Sequence, residues 1–201
     1  MTTDLCRLAE FYGVDKTPKI LHTYTPAYDK ILGEIRVSAR LIIEIGIGHP
    51  ALMAPIVGTS YRAGASLRMW KAYFPCAHII GCDIRRDIMF QEDRITCRLL
   101  DQSDQQSLIG FRDSIMTSAD LIVDDGSHER EHMMLTFRTL WPLVKVGGYY
   151  IIEDVKRVDL ADFERLGNSQ MDAMLVYSHK GKNDWDSFVC FLKTPMYIDI
   201  T

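Results

Sequence analysis

The chain has 201 residues, a length typical of one domain and sufficient to bury a complete hydrophobic core without disulfide or metal cross-links. It is 47% hydrophobic and carries a net charge of −4, which argues against general attraction to nucleic acids or anionic membranes. No apolar run reaches the roughly 18 residues of a membrane span, and the polar N-terminus is not typical of a signal peptide. Five cysteines without a C-x-x-C pair indicate reduced thiols. We therefore expect one cytoplasmic domain over residues 1–201, with neither nucleic-acid nor membrane partners.

The first 38 residues are predicted to form a helical N-terminal segment. Residues 3–12 place apolar side chains on one helical face. Thr25-Pro26 supplies a capping residue followed by proline at the first helical position, which predicts the start of a second helix.

Beyond this segment, short apolar runs alternate with helical patterns over 64–74, 104–116 and 128–145. The runs are apolar throughout, as is typical of strands buried on both faces of a sheet. They are Leu41–Ile45, His78–Cys82, Ile95–Leu100, Leu121–Val123 and Tyr149–Ile152. Such alternation predicts a parallel sheet covered by helices on both faces.

The C-terminal region breaks the alternation. After a short helix near 158–167, two strands are predicted at Met174–Tyr177 and Phe188–Leu192, joined by a polar segment. This pattern is typical of a β-hairpin. The predicted fold class is therefore α/β, with a Rossmann-like, seven-stranded and mostly parallel sheet that ends in an antiparallel hairpin.

Every one of the five central strands ends in acidic residues. Ligands of open parallel sheets bind at the carboxyl ends of the strands, so these side chains are candidate site residues. Like charges gathered at one sheet edge repel each other, which a purely structural role does not explain. The acidic residues are Glu44, Asp83, Asp101, Asp124, Asp125, Glu153 and Asp154.

Several of these strand ends are suited to an adenosine-containing cofactor. Gly46 and Gly48 allow close approach of the backbone to a ligand. Asp83 is placed to accept hydrogen bonds from a ribose diol, and Asp101-Gln102 offers polar groups to an adenine edge. The glycines also match the dinucleotide pattern G-x-G-x-x-G/A. However, Asp83 lies farther along than the roughly 20 residues expected, and the proline-containing segment after Gly48 predicts a loop. S-adenosylmethionine (SAM), which has no pyrophosphate, fits better.

Asp125, Glu153 and Asp154 follow two strands that we expect to be neighbours. Three carboxylates without cysteine favour a hard cation such as Mg²⁺. His128 lies three residues after Asp125, where it could act as general base; a helix-capping or surface histidine is the alternative. The adjacent Ser127 lacks the G-x-S-x-G pattern of a hydrolase nucleophile.

From about Leu5 to Asp154 the sequence resembles the class I SAM-dependent sugar O-methyltransferases of the mycinamicin/macrocin type. The motifs that carry the resemblance are E-x-G-x-G, GASLRMW, GCDI, DQSD, VDDGSH and a downstream ED. The early YGVDK and HTY also look like the segment that closes over the cofactor in that family.

The resemblance implies that Asp125, Glu153 and Asp154 bind the metal and that His128 and Asp125 are catalytic. It implies a cofactor site formed by Tyr24, Glu44, Gly46, Gly48, Ser66, Asp83, Asp101, Gln102 and Asp124.

We therefore predict a Mg²⁺- and SAM-dependent O-methyltransferase acting on a hydroxyl of a sugar or glycoside, such as a rhamnose-type residue. The cation would lower the pKa of that hydroxyl, and His128 would remove its proton. Alternatives are a SAM methyltransferase of a catechol-like diol, a non-catalytic nucleotide-binding Rossmann module, and an NAD-dependent oxidoreductase. The acceptor stays open, as does whether the chain forms a homo-oligomer or is one domain of a larger protein.

Overall fold

A computed structural model of the chain describes residues 2–169, 174–180 and 183–195. In these residues one sheet has eight strands, in the order β3-β4-β2-β1-β5-β6-β8-β7. The strands are β1 Leu41–Ile45, β2 His78–Asp83, β3 Gln91–Glu92, β4 Ile95–Leu99, β5 Ala119–Asp124, β6 Val144–Ile152, β7 Met174–Lys180 and β8 Ser187–Lys193. Five neighbouring strands in this order, β4, β2, β1, β5 and β6, are parallel. Strands β3, β8 and β7 pair antiparallel to their neighbours. The predicted Rossmann-like sheet with a terminal hairpin is confirmed.

Seven α-helices accompany the sheet in the described residues. They are α1 Asp4–Tyr12, α2 Thr25–Leu32, α3 Pro50–Val57, α4 Ala65–Tyr73, α5 Gln105–Ser114, α6 Arg130–Leu140 and α7 Leu160–Ser169. Local signals set several of their ends. The Thr3 hydroxyl accepts a hydrogen bond from the Cys6 N–H at the start of α1, and Gly13 ends that helix in the left-handed conformation. None of the helices in these residues is both long and apolar enough to cross a membrane.

Two hydrophobic clusters pack on opposite faces of the sheet. Ile42 of β1 belongs to the first cluster and Ile43 to the second, because successive strand residues point to opposite faces. The first cluster includes Trp70 of α4, and the second includes Phe137 of α6. The central strands are therefore buried on both sides, which is why their sequences are apolar throughout.

Three details of the sequence prediction are wrong. The short strand β3 raises the number of strands from seven to eight. The helix predicted over 128–145 begins at Arg130 and gives way to a 3₁₀ turn at Trp141–Leu143, and β6 then begins at Val144. Pro142 lies in that turn and lacks the N–H that continued α-helix would require.

The segment after Gly48, predicted as a loop, forms helix α3. Pro50 occupies its first position, where a fixed φ favours the helix, and the His49 ring accepts a hydrogen bond from the Ala51 N–H at 3.1 Å. Pro55 lies inside the helix and removes only one of its backbone hydrogen bonds. No residue of α3 is buried. One of the two arguments against a dinucleotide site, the absence of a helix here, is therefore wrong.

Candidate active site

A cavity of about 390 Å³ lies at the carboxyl ends of the central parallel strands. This is the edge at which ligands of open α/β sheets bind. Nine of the predicted site residues line it: Gly46, Gly48, Ser66, Asp83, Asp101, Gln102, Asp125, His128 and Asp154. Most of the predicted site residues therefore lie in the cavity wall.

The glycine at the end of β1 brings two strand ends together. Gly46 has φ +85°, and a Cβ built on it would lie 1.8 Å from the carbonyl oxygen of Asp125. Only glycine permits this approach, since any side chain would collide with backbone. The loop after β1 therefore lies directly against the loop after β5.

Asp83, at the end of β2, has both carboxylate oxygens turned to neighbouring loops. Its Oδ2 accepts a hydrogen bond from the Ile47 N–H at 3.1 Å, and its Oδ1 accepts one from the Arg85 N–H at 2.9 Å. Each oxygen has further acceptor capacity, so the same carboxylate could also receive a ligand diol. Asp83 thus both shapes this end of the cavity and lines it.

Gln102 is held from both sides of its amide. Its Oε1 accepts a hydrogen bond from the Ser127 N–H at 2.9 Å, and its Nε2 donates to Asp124 Oδ1 at 2.5 Å. Asp124 is itself buried, and burial raises its pKa to about 7. The neighbouring Asp101 accepts hydrogen bonds from the side chain and N–H of Ser103, which lower its pKa.

Three of the predicted acidic residues, Glu44, Asp124 and Glu153, lie in the protein interior and do not line the cavity. Glu44 and Asp124 are buried strand residues, and Glu153 lies just past β6 with its carboxylate bonded to Lys16 and Tyr28. Of the pairs Asp124-Asp125 and Glu153-Asp154, only the second member of each reaches the cavity. Sequence spacing identifies the strand ends but not which of two adjacent carboxylates faces the ligand.

Glu44 is fully buried beneath the cavity floor. Its Oε2 accepts a hydrogen bond from the Ser66 hydroxyl at 2.7 Å, and its Oε1 lies 3.8 Å from Lys16 Nζ. Burial raises the pKa of Glu44 to about 7, although the Lys16 ammonium acts in the opposite direction. Because Ser66 lines the cavity, Glu44 supports a lining residue from below.

Lys16 was predicted only as part of a segment that closes over the cofactor, and no individual role was predicted for it. The N-terminal loop, residues 13–24 between α1 and α2, places Lys16 Nζ 2.5 Å from Asp125 Oδ2 and 2.5 Å from Glu153 Oε2. The side chain is buried. Burial acts to lower its pKa, but the charges of the surrounding carboxylates outweigh this and raise the pKa well above the ordinary value. Its partners are more than a hundred positions away in sequence, so no spacing rule could identify them.

Asp125, His128 and Asp154 form the group with the geometry of a cation site. One ligand atom from each lies within 4.8 Å of the others. His128 Nε2 is 3.9 Å from Asp125 Oδ1 and 3.9 Å from Asp154 Oδ2. Burial and the Asp125 charge raise the pKa of Asp154, which a bound cation would counteract.

Glu153, predicted as the third metal ligand, does not join this group. Its Oε2 contacts Lys16, and its Oε1 accepts a hydrogen bond from the Tyr28 hydroxyl at 2.9 Å. Both oxygens are therefore engaged by protein donors on the buried side of β6. Its assignment as a ligand stays a prediction that this geometry does not support.

The backbone at two of the three residues of this group is strained. His128 has φ +55° and Asp154 has φ +52°, a region that non-glycine residues rarely adopt. Helix α6 begins at Arg130 with Glu129 as its N-cap residue, so the alternative of a helix-capping His128 is wrong. The His128 side chain is 39% exposed and reaches the cavity.

Tyr24, predicted to contact the cofactor, is fully buried and does not line the cavity. Its hydroxyl donates a hydrogen bond to Asp154 Oδ1 at 2.6 Å. Its ring stacks on His22, whose Nδ1 lies 2.9 Å from Asp186 Oδ1. Tyr24 thus contacts the cation group from behind.

The cavity also has lining residues that the sequence analysis did not select. They are Val14, Asp15, Lys16, His49, Leu52, Met53, Tyr61, Ile84, Arg85, Ser103, Ser127 and His132, among others. Four of them, His49, Leu52, Met53 and Tyr61, lie in or near α3, which the sequence analysis predicted as a loop. Val14, Asp15 and Lys16 show that the N-terminal segment reaches the cavity.

Comparison with known proteins relates the chain to sugar-modifying enzymes, although no family model matches it. It is 38% identical over 152 residues to 8-demethyl-8-alpha-L-rhamnosyl tetracenomycin-C 2'-O-methyltransferase from Streptomyces olivaceus, covering 76% of this chain and 38% of that protein. It is 39% identical over 144 residues to demethylmacrocin O-methyltransferase from Streptomyces fradiae, covering 69% of this chain and 34% of that one.

A solved structure agrees with these sequence relatives. The MycE methyltransferase from the mycinamycin biosynthetic pathway, in complex with Mg and SAH, superposes with a TM-score of 0.75 at 26% identity. The match covers 96% of this chain and 55% of that chain. The chain thus spans less than two-fifths of the two sequence relatives and about half of the structural one. It belongs to the same family as these O-methyltransferases and has the Rossmann-like fold of class I methyltransferases.

Proposed function

We propose that this chain is a Mg²⁺- and SAM-dependent O-methyltransferase domain whose acceptor is a hydroxyl of a sugar or glycoside. The observation that carries the proposal is one cavity lined by two chemically distinct sets of residues. Asp83 and Gln102 are suited to adenosine, and Asp125, His128 and Asp154 converge as a candidate cation group. The relatives named above support it, since both are O-methyltransferases and the name of the Streptomyces olivaceus enzyme specifies a rhamnosyl group.

The residues present fit both groups. Carboxylate oxygens of Asp125 and Asp154 are the hard donors that Mg²⁺ prefers, and the open side of the cavity leaves room for water or acceptor oxygens. SAM needs acceptors for its ribose and amino groups, and Asp83 has such capacity. When bound, SAM supplies the methyl group and Mg²⁺ lowers the pKa of the acceptor hydroxyl.

His128 is the proposed base. The hydroxyl group of a sugar is a weak nucleophile near neutral pH and must lose its proton as it reacts. In this proposal Asp125 and Asp154 hold the cation, and His128 Nε2, which lies 3.9 Å from an oxygen of each, stays free to accept that proton. The imidazolium so formed would lie 3.9 Å from carboxylate oxygens of both Asp125 and Asp154, which stabilise its charge.

The other candidate functions have less support. A catechol-like diol would use the same cation group. However, the names of the two relatives specify a rhamnosyl tetracenomycin and demethylmacrocin as their substrates. A non-catalytic nucleotide-binding module would gain nothing from His128 placed between two carboxylates. An NAD-dependent oxidoreductase is disfavoured because the family is one of methyltransferases.

Replacement of His128 by alanine tests the proposed base. We expect kcat for methyl transfer to fall by roughly 10²- to 10⁴-fold, with SAM affinity by calorimetry unchanged. His78→Ala is the matched control, since His78 is exposed and bonds only Thr96 far from the cavity. A normal kcat in His128→Ala would remove His128 from the mechanism.

A further inference from the structure

Each of the two carboxylates in the cation group has one oxygen bonded to the N-terminal loop. Asp125 Oδ2 accepts from Lys16 Nζ at 2.5 Å, and Asp154 Oδ1 accepts from the Tyr24 hydroxyl at 2.6 Å. The other two oxygens, Asp125 Oδ1 and Asp154 Oδ2, are the ones at 3.9 Å from His128 Nε2. The loop thus engages one oxygen of each carboxylate and leaves the other oxygen near His128.

Lys16 and Tyr24 are connected to each other through the backbone. The N–H groups of Tyr24 and Thr25 both donate to the Lys16 carbonyl oxygen, at 3.1 and 3.0 Å. A further hydrogen bond joins the His22 N–H to the Asp15 carbonyl at 2.8 Å. These bonds close the loop on itself, so it delivers both side chains to the site together.

The Tyr24 ring is held independently of its hydroxyl. It stacks on His22 with ring centroids 4.8 Å apart and meets Phe188 edge-on at 5.4 Å. His22 is itself anchored by its 2.9 Å contact with Asp186 in the loop before β8. The hydroxyl can therefore be removed without removing what positions the ring.

We propose that Tyr24 and Lys16 are positioning residues for the divalent cation: by fixing one oxygen of Asp154 and of Asp125, they orient the other oxygen of each toward the metal. The inference rests on the proposed cation site. An aspartate carboxylate otherwise rotates broadly about its terminal torsion, so a donor on one oxygen determines where the other lies. Such supporting contacts to metal ligands are typically worth 10- to 100-fold in metal affinity. Tyr24 would thereby serve the cation instead of the predicted contact with SAM.

The test is the affinity for Mn²⁺ alone, measured by calorimetry or electron paramagnetic resonance without SAM or acceptor. We expect Tyr24→Phe to bind Mn²⁺ roughly 10-fold more weakly than wild type. Tyr73→Phe is the matched control: Tyr73 is also buried, and its hydroxyl makes a 3.5 Å hydrogen bond to the Asp29 carbonyl, outside the cavity lining. The control should bind normally, and both variants should melt at similar temperatures.

A second measurement uses the wild-type chain and is independent of how well Tyr24→Phe folds. Coupling between two sites is reciprocal, so if the loop favours the cation, Mn²⁺ must also favour the ordered loop. We expect Mn²⁺ to slow hydrogen–deuterium exchange in residues 13–24. If the wild type binds Mn²⁺ and Tyr24→Phe binds it with the same affinity, this inference is overturned and the cation site is not. The same holds if Mn²⁺ binds the wild type without changing hydrogen–deuterium exchange in residues 13–24. A wild-type chain that does not bind Mn²⁺ overturns the cation site and the inference with it.

Discussion

Lys16→Met removes the one ammonium group that contacts both Asp125 and Glu153. Methionine has a similar length and is apolar, so it fills the space but leaves the carboxylates without their partner. Glu153 and the nearby Glu44 are both buried. Breaking a buried ion pair from one side costs about 3–5 kcal/mol, and Lys16 has more than one such partner. We therefore expect the free energy of unfolding to fall by about that amount near neutral pH.

The loss should depend on pH with a definite sign. Burial already raises the pKa of Glu153 and of Glu44, and without the Lys16 charge both rise further, so the folded state binds more protons than the unfolded state. Stability of the variant must then decrease as pH rises, and the difference from wild type should be larger at mildly alkaline than at mildly acidic pH. In the wild type, Lys16 is charged in both the folded and the unfolded state at these pH values. Its own titration therefore does not make the free energy of unfolding depend on pH.

Urea denaturation followed by circular dichroism at two pH values measures both effects. Lys19→Met is the matched control, because Lys19 lies in the same loop, is 72% exposed and pairs only with Glu10 at the surface. Its loss should be below about 1 kcal/mol. Adding Glu153→Gln to Lys16→Met should recover part of the stability. A loss in Lys16→Met no larger than that of the control would refute the view that this ammonium neutralises the cluster.

Two further predictions concern Asp83 and Glu44. Asp83→Asn should weaken SAM binding by about 1–3 kcal/mol in calorimetry, because it removes a charged acceptor. The control Asp87→Asn, a nearby exposed residue, should leave SAM affinity unchanged. Equal SAM affinity in both variants would remove Asp83 from the cofactor site. For Glu44, burial raises the pKa from its ordinary 4.5 to about 7, so the folded state keeps a proton that the unfolded state loses and stability falls as pH rises between these values. Glu44→Gln should lessen that fall by about 3 kcal/mol in denaturation experiments, and an unchanged pH dependence would show that Glu44 does not hold the proton.

The sheet was largely predictable from sequence because its signals are local. A run such as Leu41–Ile45 is apolar throughout because it is buried on both faces, and this can be recognised without knowledge of its neighbours. The error at α3 arose because two prolines and a glycine were interpreted as loop signals, although Pro50 is at the one helical position that favours proline.

The site was predictable only in part, because contacts between distant segments determine which atoms meet. The carboxyl ends of the strands were identified correctly, but the direction of each side chain was not, which is why Glu153 and Asp154 were given the same function. Lys16 and Tyr24 act across more than a hundred positions of sequence. Nothing in their own surroundings along the chain indicates the carboxylates that they contact.

The proposed reaction is the transfer of a methyl group from SAM to a sugar hydroxyl with the help of a divalent cation. The most direct measurement is mass-spectrometric detection of methylated product from a panel of rhamnosides and other deoxysugar glycosides, with simple catechols included. We predict a mass gain of one methyl group on at least one glycoside, lost on treatment with EDTA and restored by Mg²⁺. Transfer to catechols alone, or undiminished transfer to a glycoside in metal-free buffer, would contradict the account.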